Sequence, residues 1–374
     1  MQKPAPSATP LTDFIFSKAS RARVPLSGTF ELSPVCNFAC RMCYVRKTPA
    51  EVAASPRGLL SKEHWLQIAE EARDAGMLYL LLTGGEPLLW PGFWDLYEAL
   101  VRMGILVSIN TNGSLIGDEA VARFKELPPR RINITLYGAN DATYERLCGA
   151  KNVFSRVDEA ITKLQQAGIT VKLNGSLTPE NVEDVDAMIA YAQEKKLIYE
   201  IATYMFPPIR RDPSATGVNE RFAPQESAAC RLHCYRLQAG EERYQSYLKS
   251  IREGSIPPPG LDESCTDPLD GTIRCRAGKA SFWITWDGWL TPCGLLPEPK
   301  ADLLAQNFTA AWKTLTGVCD GIVTSGLCAQ CENQQLCHPC AAIAYAETGT
   351  TAGVPTYLCE TVRAMQDIAA GKRT

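Results

Sequence analysis

Residues 28–43 read GTFELSPVCNFACRMC, a short β-rich run that breaks at Pro34 into a loop carrying Cys36, Cys40 and Cys43. In folds built from parallel βα units, reactive groups collect where strands end and loops begin. The three thiols, spaced C-x3-C-x2-C, stand at such a point. Three thiolates close together suit an iron-sulfur cluster in which one iron lacks a protein ligand. They also suit a zinc site, although structural zinc takes four protein ligands at paired spacings.

Outward from this loop, the pattern of one apolar β-rich run followed by one helical run repeats. Strands are expected at 28–34, 78–83, 106–110, 132–136, 170–176 and 199–205, and helices at 61–75, 90–103, 118–126, 155–167 and 181–195. Ser61 and Asp118 are expected N-caps, since a short side-chain oxygen accepts from the free N–H groups of a helix start. Six βα units with right-handed crossovers predict a partial (β/α)6 barrel of TIM-like type, open on one side, in an α/β chain. After the second strand comes TGGEP, residues 83–87, and after the third Asn110-Thr111-Asn112-Gly113. Gly84 and Gly85 permit close backbone approach, and Glu86 offers a carboxylate to an ammonium group.

The strand ends in this order resemble the radical S-adenosylmethionine superfamily over about residues 29–206. The resemblance implies that Cys36, Cys40 and Cys43 hold a [4Fe-4S] cluster whose open iron is chelated by S-adenosylmethionine. It places Met42 near the adenine, Gly84, Gly85, Glu86 and Pro87 at the methionine amino group, and Asn112 and Thr135 at the ribose or carboxylate. Its implied chemistry is reductive cleavage of the sulfonium to a 5'-deoxyadenosyl radical, which abstracts a hydrogen atom from the substrate. The reducing electron would come from a donor such as flavodoxin or ferredoxin.

Fifteen cysteines in 374 residues point to metal binding rather than disulfides in a long intracellular chain. Cys275, Gly288 and Cys293 form C-x12-G-x4-C; Cys328, Cys331, Cys337 and Cys340 form C-x2-C-x5-C-x2-C, and Cys359 follows. Paired zinc knuckles read from the same C-x2-C pairs. The order resembles the SPASM domain, an auxiliary-cluster extension of enzymes that modify peptides and proteins. That family has three residues before the fourth cysteine of the central group, where this chain has His338 and Pro339. By resemblance, Cys328, Cys331, Cys337 and Cys359 hold a distal auxiliary [4Fe-4S] cluster. Cys275, Cys293 and Cys340 hold a proximal one, with Cys265 as its fourth ligand. The expected division is an N-terminal extension over 1–27, the radical barrel over 28–222, a helical linker over 223–262 and the SPASM-like domain over 263–374.

Other residues carry open readings. Cys148, in YERLCGAKNVF, reads as a hydrogen-atom donor near the barrel mouth or as a small buried apolar residue. Cys230 and Cys234 are four apart and share a helix face, for redox, metal or packing purposes. Arg210 and Arg211 read as a grip for an acidic substrate or a carboxylate, or as solvated surface. Cys319, His64, His233 and His338 suggest no catalytic constellation.

A net charge of -3 gives no basic excess to hold nucleic acid or an anionic membrane. No signal peptide and no apolar run long enough to span a bilayer are visible, so a cytoplasmic location is expected. The leading functional expectation is a peptide-modifying enzyme acting on a ribosomally made precursor, by thioether or carbon-carbon crosslinking or by epimerisation. About 28 residues before the first strand are too few for a leader-binding module of about 80, so a separate leader-binding protein or another surface is expected. An anaerobic sulfatase-maturating type of Cys or Ser oxidation is the alternative, but Gly294 stands where those enzymes have an aspartate base. A non-enzymatic electron carrier is the third, and it has no use for the GGEP segment.

Overall fold

The computed structural model describes residues 10–255, 273, 275–338 and 340–372. All six expected strands form: β1 (Ser27–Glu31), β2 (Tyr79–Thr83), β3 (Leu106–Thr111), β4 (Arg131–Thr135), β5 (Val171–Ser176) and β6 (Ile198–Ala202). Each pairs in parallel with its sequence neighbour, Phe30 opposite Leu82 and Ile134 opposite Leu173. Helices cross from each strand to the next and cover the outer face. Lys62–Asp74 shows the local logic: the Ser61 hydroxyl accepts from the His64 N–H, and Trp65, Ile68, Ala69 and Ala72 recur at helical spacing on the buried side. Trp65 stacks on Phe30 of β1, with ring centroids 4.7 Å apart.

Three departures from the sequence expectation are instructive. Asp118 is not an N-cap: Gly117 occupies that position without a side-chain bond, and Asp118 enters the first turn, where its charge complements the helix dipole. A short helix, Asp141–Cys148, stands between β4 and the helix Phe154–Gln166, started by the Asn140 side chain and ended by Gly149 at φ +63°. Within the helical linker expected over 223–262 stand two helices, Pro224–Ala239 and Glu241–Arg252, broken at Gly240 with φ +83°.

The largest departure concerns the sheet edge. β7 (Ser281–Ile284) lies parallel against β1, and β8 (Trp289–Thr291) and β9 (Ala301–Asp302) continue it antiparallel, giving the order β6-β5-β4-β3-β2-β1-β7-β8-β9. β1 is therefore interior. Phe282 and Ile284 of β7, with Phe308 and Trp312 of the helix Phe308–Cys319, join the barrel's own hydrophobic core. The helices Pro224–Ala239 and Glu241–Arg252 pack instead on the final helix, Thr356–Ala369, through Leu232, Ile251 and Met365. Among the described residues no helix is long and apolar enough to cross a membrane.

Candidate active site and cysteine centres

The thiol loop is built against two other strand ends. Beyond β1 and β2 the pairing continues as loop bonds: Gly85 N–H donates to the Ser33 carbonyl at 2.7 Å and Glu86 N–H to the Val35 carbonyl at 3.0 Å. This approach requires glycine. A Cβ on Gly84, whose φ is +148°, would lie 2.3 Å from the Ser33 carbonyl oxygen, and one on Gly85 would lie 2.4 Å from that of Val35. Ala39 N–H donates to the Cys148 carbonyl (2.7 Å) and Arg41 N–H to that of Leu147 (3.2 Å), so helix Asp141–Cys148 clamps the loop on both sides of Cys40.

Glu86 is wholly buried. Its carboxylate accepts from the Thr111 hydroxyl and the Asn112 N–H, both at 2.8 Å, and from the Leu88 N–H at 3.2 Å. A carboxylate has about four lone-pair directions, so one is left over. Among the described residues no cation pairs with it, and desolvation pushes it up to about 7. A buried carboxylate with a spare acceptor site fits a ligand's ammonium. Asn112 donates to the Asn37 side-chain oxygen at 2.9 Å and accepts from Ser114, tying the β3 end to the residue after Cys36. Thr135 closes β4 opposite Asn174, Pro87 starts the turn Pro87–Leu89, and Met42 packs at the edge of the core.

Among the described residues no three His, Cys, Asp or Glu side chains converge on one metal ion. A cubane does not ask for that, because each thiolate binds a different iron. The three thiols do sense one another: Cys40 and Cys43 both oppose ionisation of Cys36, which burial first of all pushes up to about 12. Cys40 is held low, chiefly by a hydrogen bond from the Cys148 thiol and also by one from the Tyr137 hydroxyl. Cys148 itself is fully buried, its thiol turned into the core beside Cys40.

Four C-terminal thiols are brought together in the same way. Cys337, raised to about 12 by burial, feels Cys359, Cys328 and Cys331, and Cys328 feels Cys359 and Cys331. Cys293, raised to about 11 by burial, feels Cys340. Ile273 and Ala277, on either side of Cys275, pack with Ala341 and Cys293. Cys265 lies outside the described residues. Any metal taken up here must displace the protons these buried thiols retain.

Sequence reasoning missed what joins the two cysteine regions. Arg210 does grip a carboxylate, but a buried one of the chain itself, and it is not solvated surface. It makes a bidentate bond, 2.9 Å on each arm, to the wholly buried Glu31 at the end of β1, and donates to the Gly294 carbonyl at 3.1 Å. Trp283 donates its indole N–H to the same Glu31 at 3.0 Å. A charged residue inside an apolar strand run was the available signal. The indole of Trp283 also fills the space beside Gly294, where a Cβ would lie 2.7 Å from the ring; position 294 has no room for a carboxylate. Arg211 donates to the Cys43 carbonyl at 2.7 Å. Beside Arg210 opens a cleft of about 580 Å³ between the barrel's loops and the C-terminal region, lined among others by Lys47, Asp287, Trp289, Cys293 and Tyr345. Farther out, Arg221 pairs with Glu347 and lies over the Tyr357 ring at 3.8 Å, a second buried link between the regions. Cys230 and Cys234 lie buried in the core, where the neighbouring Cys230 and burial push the Cys234 thiol up.

Comparison with known proteins agrees with this geometry. Residues 30–192 match the radical SAM superfamily. A probable GTP 3',8-cyclase of Saccharolobus islandicus is 34% identical over 275 residues, which span 73% of this chain and 84% of that one. An AdoMet-dependent heme synthase of Methanosarcina barkeri is 26% identical over 86% of this chain and 92% of its own length. Among solved structures, Streptococcus suis SuiB bound to the precursor peptide SuiA superposes with a TM-score of 0.65 at 17% identity, covering 96% of this chain and 84% of SuiB.

Proposed function

Because the chain belongs to the radical S-adenosylmethionine superfamily, we propose that it is a SPASM-type peptide maturase acting on a ribosomally made precursor. In this reading Cys36, Cys40 and Cys43 hold the [4Fe-4S] cluster, which when reduced supplies the electron that cleaves S-adenosylmethionine to a 5'-deoxyadenosyl radical. Glu86 receives the ammonium group with its spare lone pair. The side chains of Asn112 and Thr135 face the remaining polar groups of the cofactor, and Met42 its adenine. Cys328, Cys331, Cys337 and Cys359 hold a distal auxiliary cluster, and Cys275, Cys293 and Cys340 a proximal one, with Cys265 as the remaining ligand.

The observation that carries the peptide reading is the cleft beside Cys293. It runs between the thiol-loop side of the barrel and the C-terminal region, and presents Lys47 and Asp287 beside Trp289 and Tyr345. Both charge signs beside aromatic surface suit the mixed side chains of an extended peptide. The missing carboxylate at Gly294 argues against the sulfatase-maturating alternative.

The alignment with a heme synthase along nearly all of that protein favours a second reading, in which the substrate is an iron tetrapyrrole. One experiment separates the two. The reconstituted enzyme is incubated anaerobically with S-adenosylmethionine and dithionite, together with each short peptide encoded beside its gene or with an iron tetrapyrrole bearing propionate groups. A mass change or stereochemical inversion in a peptide is the expected result. Product from the tetrapyrrole alone overturns the peptide reading, and absence of 5'-deoxyadenosine under all conditions overturns both.

A further inference from the structure

We propose that Lys47 selects substrates by a carboxylate, which its ammonium group receives in the cleft beside Cys293; this rests on that cleft being the substrate site of the proposed enzyme. Lys47 is half-buried and lines the cleft four residues beyond Cys43. Its backbone N–H donates to the Pro34 carbonyl at 3.0 Å, which ties it to the neck of the thiol loop. The ammonium group offers three N–H donors. Among the described residues it makes neither a hydrogen bond nor an ion pair.

The other charged side chains of the cleft are engaged within the chain. Arg210 is held by Glu31 at 2.9 Å, and Lys300 pairs with Glu298 at 2.7 Å. Asp287 accepts from the Thr285 hydroxyl at 2.6 Å. Glu51 turns one oxygen to the N–H and the hydroxyl of Thr48, both at 2.7 Å, and so caps the helix Pro49–Ala53. It attracts Lys47 only at longer range, without an ion pair. Lys47 is therefore the lining cation whose counter-charge the chain does not supply.

The aromatic wall points the same way. The Arg57 guanidinium lies 4.2 Å from the Trp289 ring centre and the Lys300 ammonium 4.8 Å. A cationic substrate group would find that ring already occupied by cations. A lysine ammonium holds a carboxylate as a point charge with rotatable donors, which suits a group carried on a flexible chain. A substrate tethered there is set in register with the loop that carries Cys36, Cys40 and Cys43. An acidic side chain, a peptide C-terminus and the propionate of a tetrapyrrole all present this chemistry.

The test is calorimetric titration of the reconstituted enzyme without S-adenosylmethionine. The probes are each short peptide encoded beside its gene, the same peptide with Asp and Glu replaced by Asn and Gln, the same peptide amidated at its C-terminus, and an iron tetrapyrrole with free or esterified propionates. In one of these comparisons, loss of the carboxylate is expected to weaken binding about ten- to a hundredfold, the worth of a hydrogen bond to a charged group. That comparison identifies the source. Lys47→Met should lose the same factor and become indifferent to the carboxylate, whereas Lys47→Arg should keep the preference. A preference kept in full by Lys47→Met, a parent indifferent to the carboxylate in every comparison, or no binding of any probe overturns the proposal. Because binding is read without radical chemistry, a peptide that binds through Lys47 but is never modified counts against the maturase reading alone.

Discussion

The loop around Cys36, Cys40 and Cys43 and the segment around Cys328, Cys331 and Cys337 are both short cysteine motifs, yet they are held in opposite ways. The first is bonded to distant backbone: Ala39 and Arg41 to the helix end at 147–148, Val35 to Glu86, and Pro34 to Lys47 across the loop's neck. In the second, over residues 326–338, the described backbone bonds are all local, such as Gln330 to Gly326 and His338 to Gln334, within helices of four residues. Leu327 there is 76% exposed, and Leu336 is the main apolar anchor. The barrel preorganises its thiols through secondary structure formed elsewhere, whereas the segment at 326–338 has only local backbone bonds, and in the proposed reading the auxiliary cluster would supply the missing constraint.

The most drastic way to break this comparison is to remove the first set of thiols. Cys36, Cys40 and Cys43 replaced together by Ala should abolish 5'-deoxyadenosine formation and lower the iron content by about four atoms per chain. Circular dichroism should stay near the parent's, because the bonds that tie the loop to Glu86, Leu147 and Cys148 run through the backbone, and only the Phe38 and Arg46 N–H groups donate to thiols, those of Cys36 and Cys43. A collapse of the barrel in that variant would show that the first region also relies on its metal.

Stripping iron from the parent with a chelator should do the reverse in the second region. Hydrogen exchange is expected to lose all protection over 326–338 while β1–β6 remain protected. Equal protection before and after stripping would remove the distinction.

Between the regions, Arg210→Ala leaves Glu31 buried without its partner and should cost about 3–5 kcal/mol in urea unfolding. Replacing both, Glu31→Gln with Arg210→Met, should recover part of it. A single-variant loss under ~1 kcal/mol would mean that the junction does not hold the two regions together.

Glu86 sharpens the picture of a preorganised barrel site through pH. Desolvation holds it at about 7 against its usual 4.5, so the ligand-free fold retains a proton that the unfolded chain has shed. Its favourable contribution is present below about pH 4.5 and is lost as pH rises through about 7. Affinity for an ammonium ligand runs the other way, rising up to about tenfold per pH unit below 7 and then levelling. Calorimetric titration of S-adenosylmethionine into parent and Glu86→Gln checks this, and a flat parent profile would contradict it.

The smallest effect is expected at Asp302, which binds Arg57 at 2.8 Å and, through Arg57, the segment after the thiol loop. The Arg57 guanidinium lowers the Asp302 carboxyl to about 2. Asp302→Asn should cost about 1 kcal/mol at neutral pH, a discounted value for a partly exposed pair. The difference between variant and parent should fade as pH falls from about 4 through 2, where the carboxylate takes its proton. A difference that persists at low pH would assign the effect to packing.

The six βα units and the strand-end motifs were legible in the sequence because each rests on local periodicity or on residues next to a strand end. Glu86 and the two glycines before it needed no knowledge of the rest of the chain. β7 was not legible: SFWI is a short apolar run whose partner lies about 250 residues earlier, and no local pattern encodes that pairing. Which carboxylate Arg210 grips was hidden for the same reason, since its acceptor Glu31 is distant in sequence. The Asp118 cap failed on a narrower point, one residue of offset between the cap and the first turn.

The strand addition at β1 also orders events during synthesis. The first strand and its reactive loop leave the ribosome early, but the edge of that strand has no neighbour until residue 284 has been made. Until then the edge is a template for pairing with other chains, and the long sequence separation makes the final closure slow. The edge of β1 is thus closed only once about three quarters of the chain has been made, and a nascent chain completes its sheet only after β7 is in place.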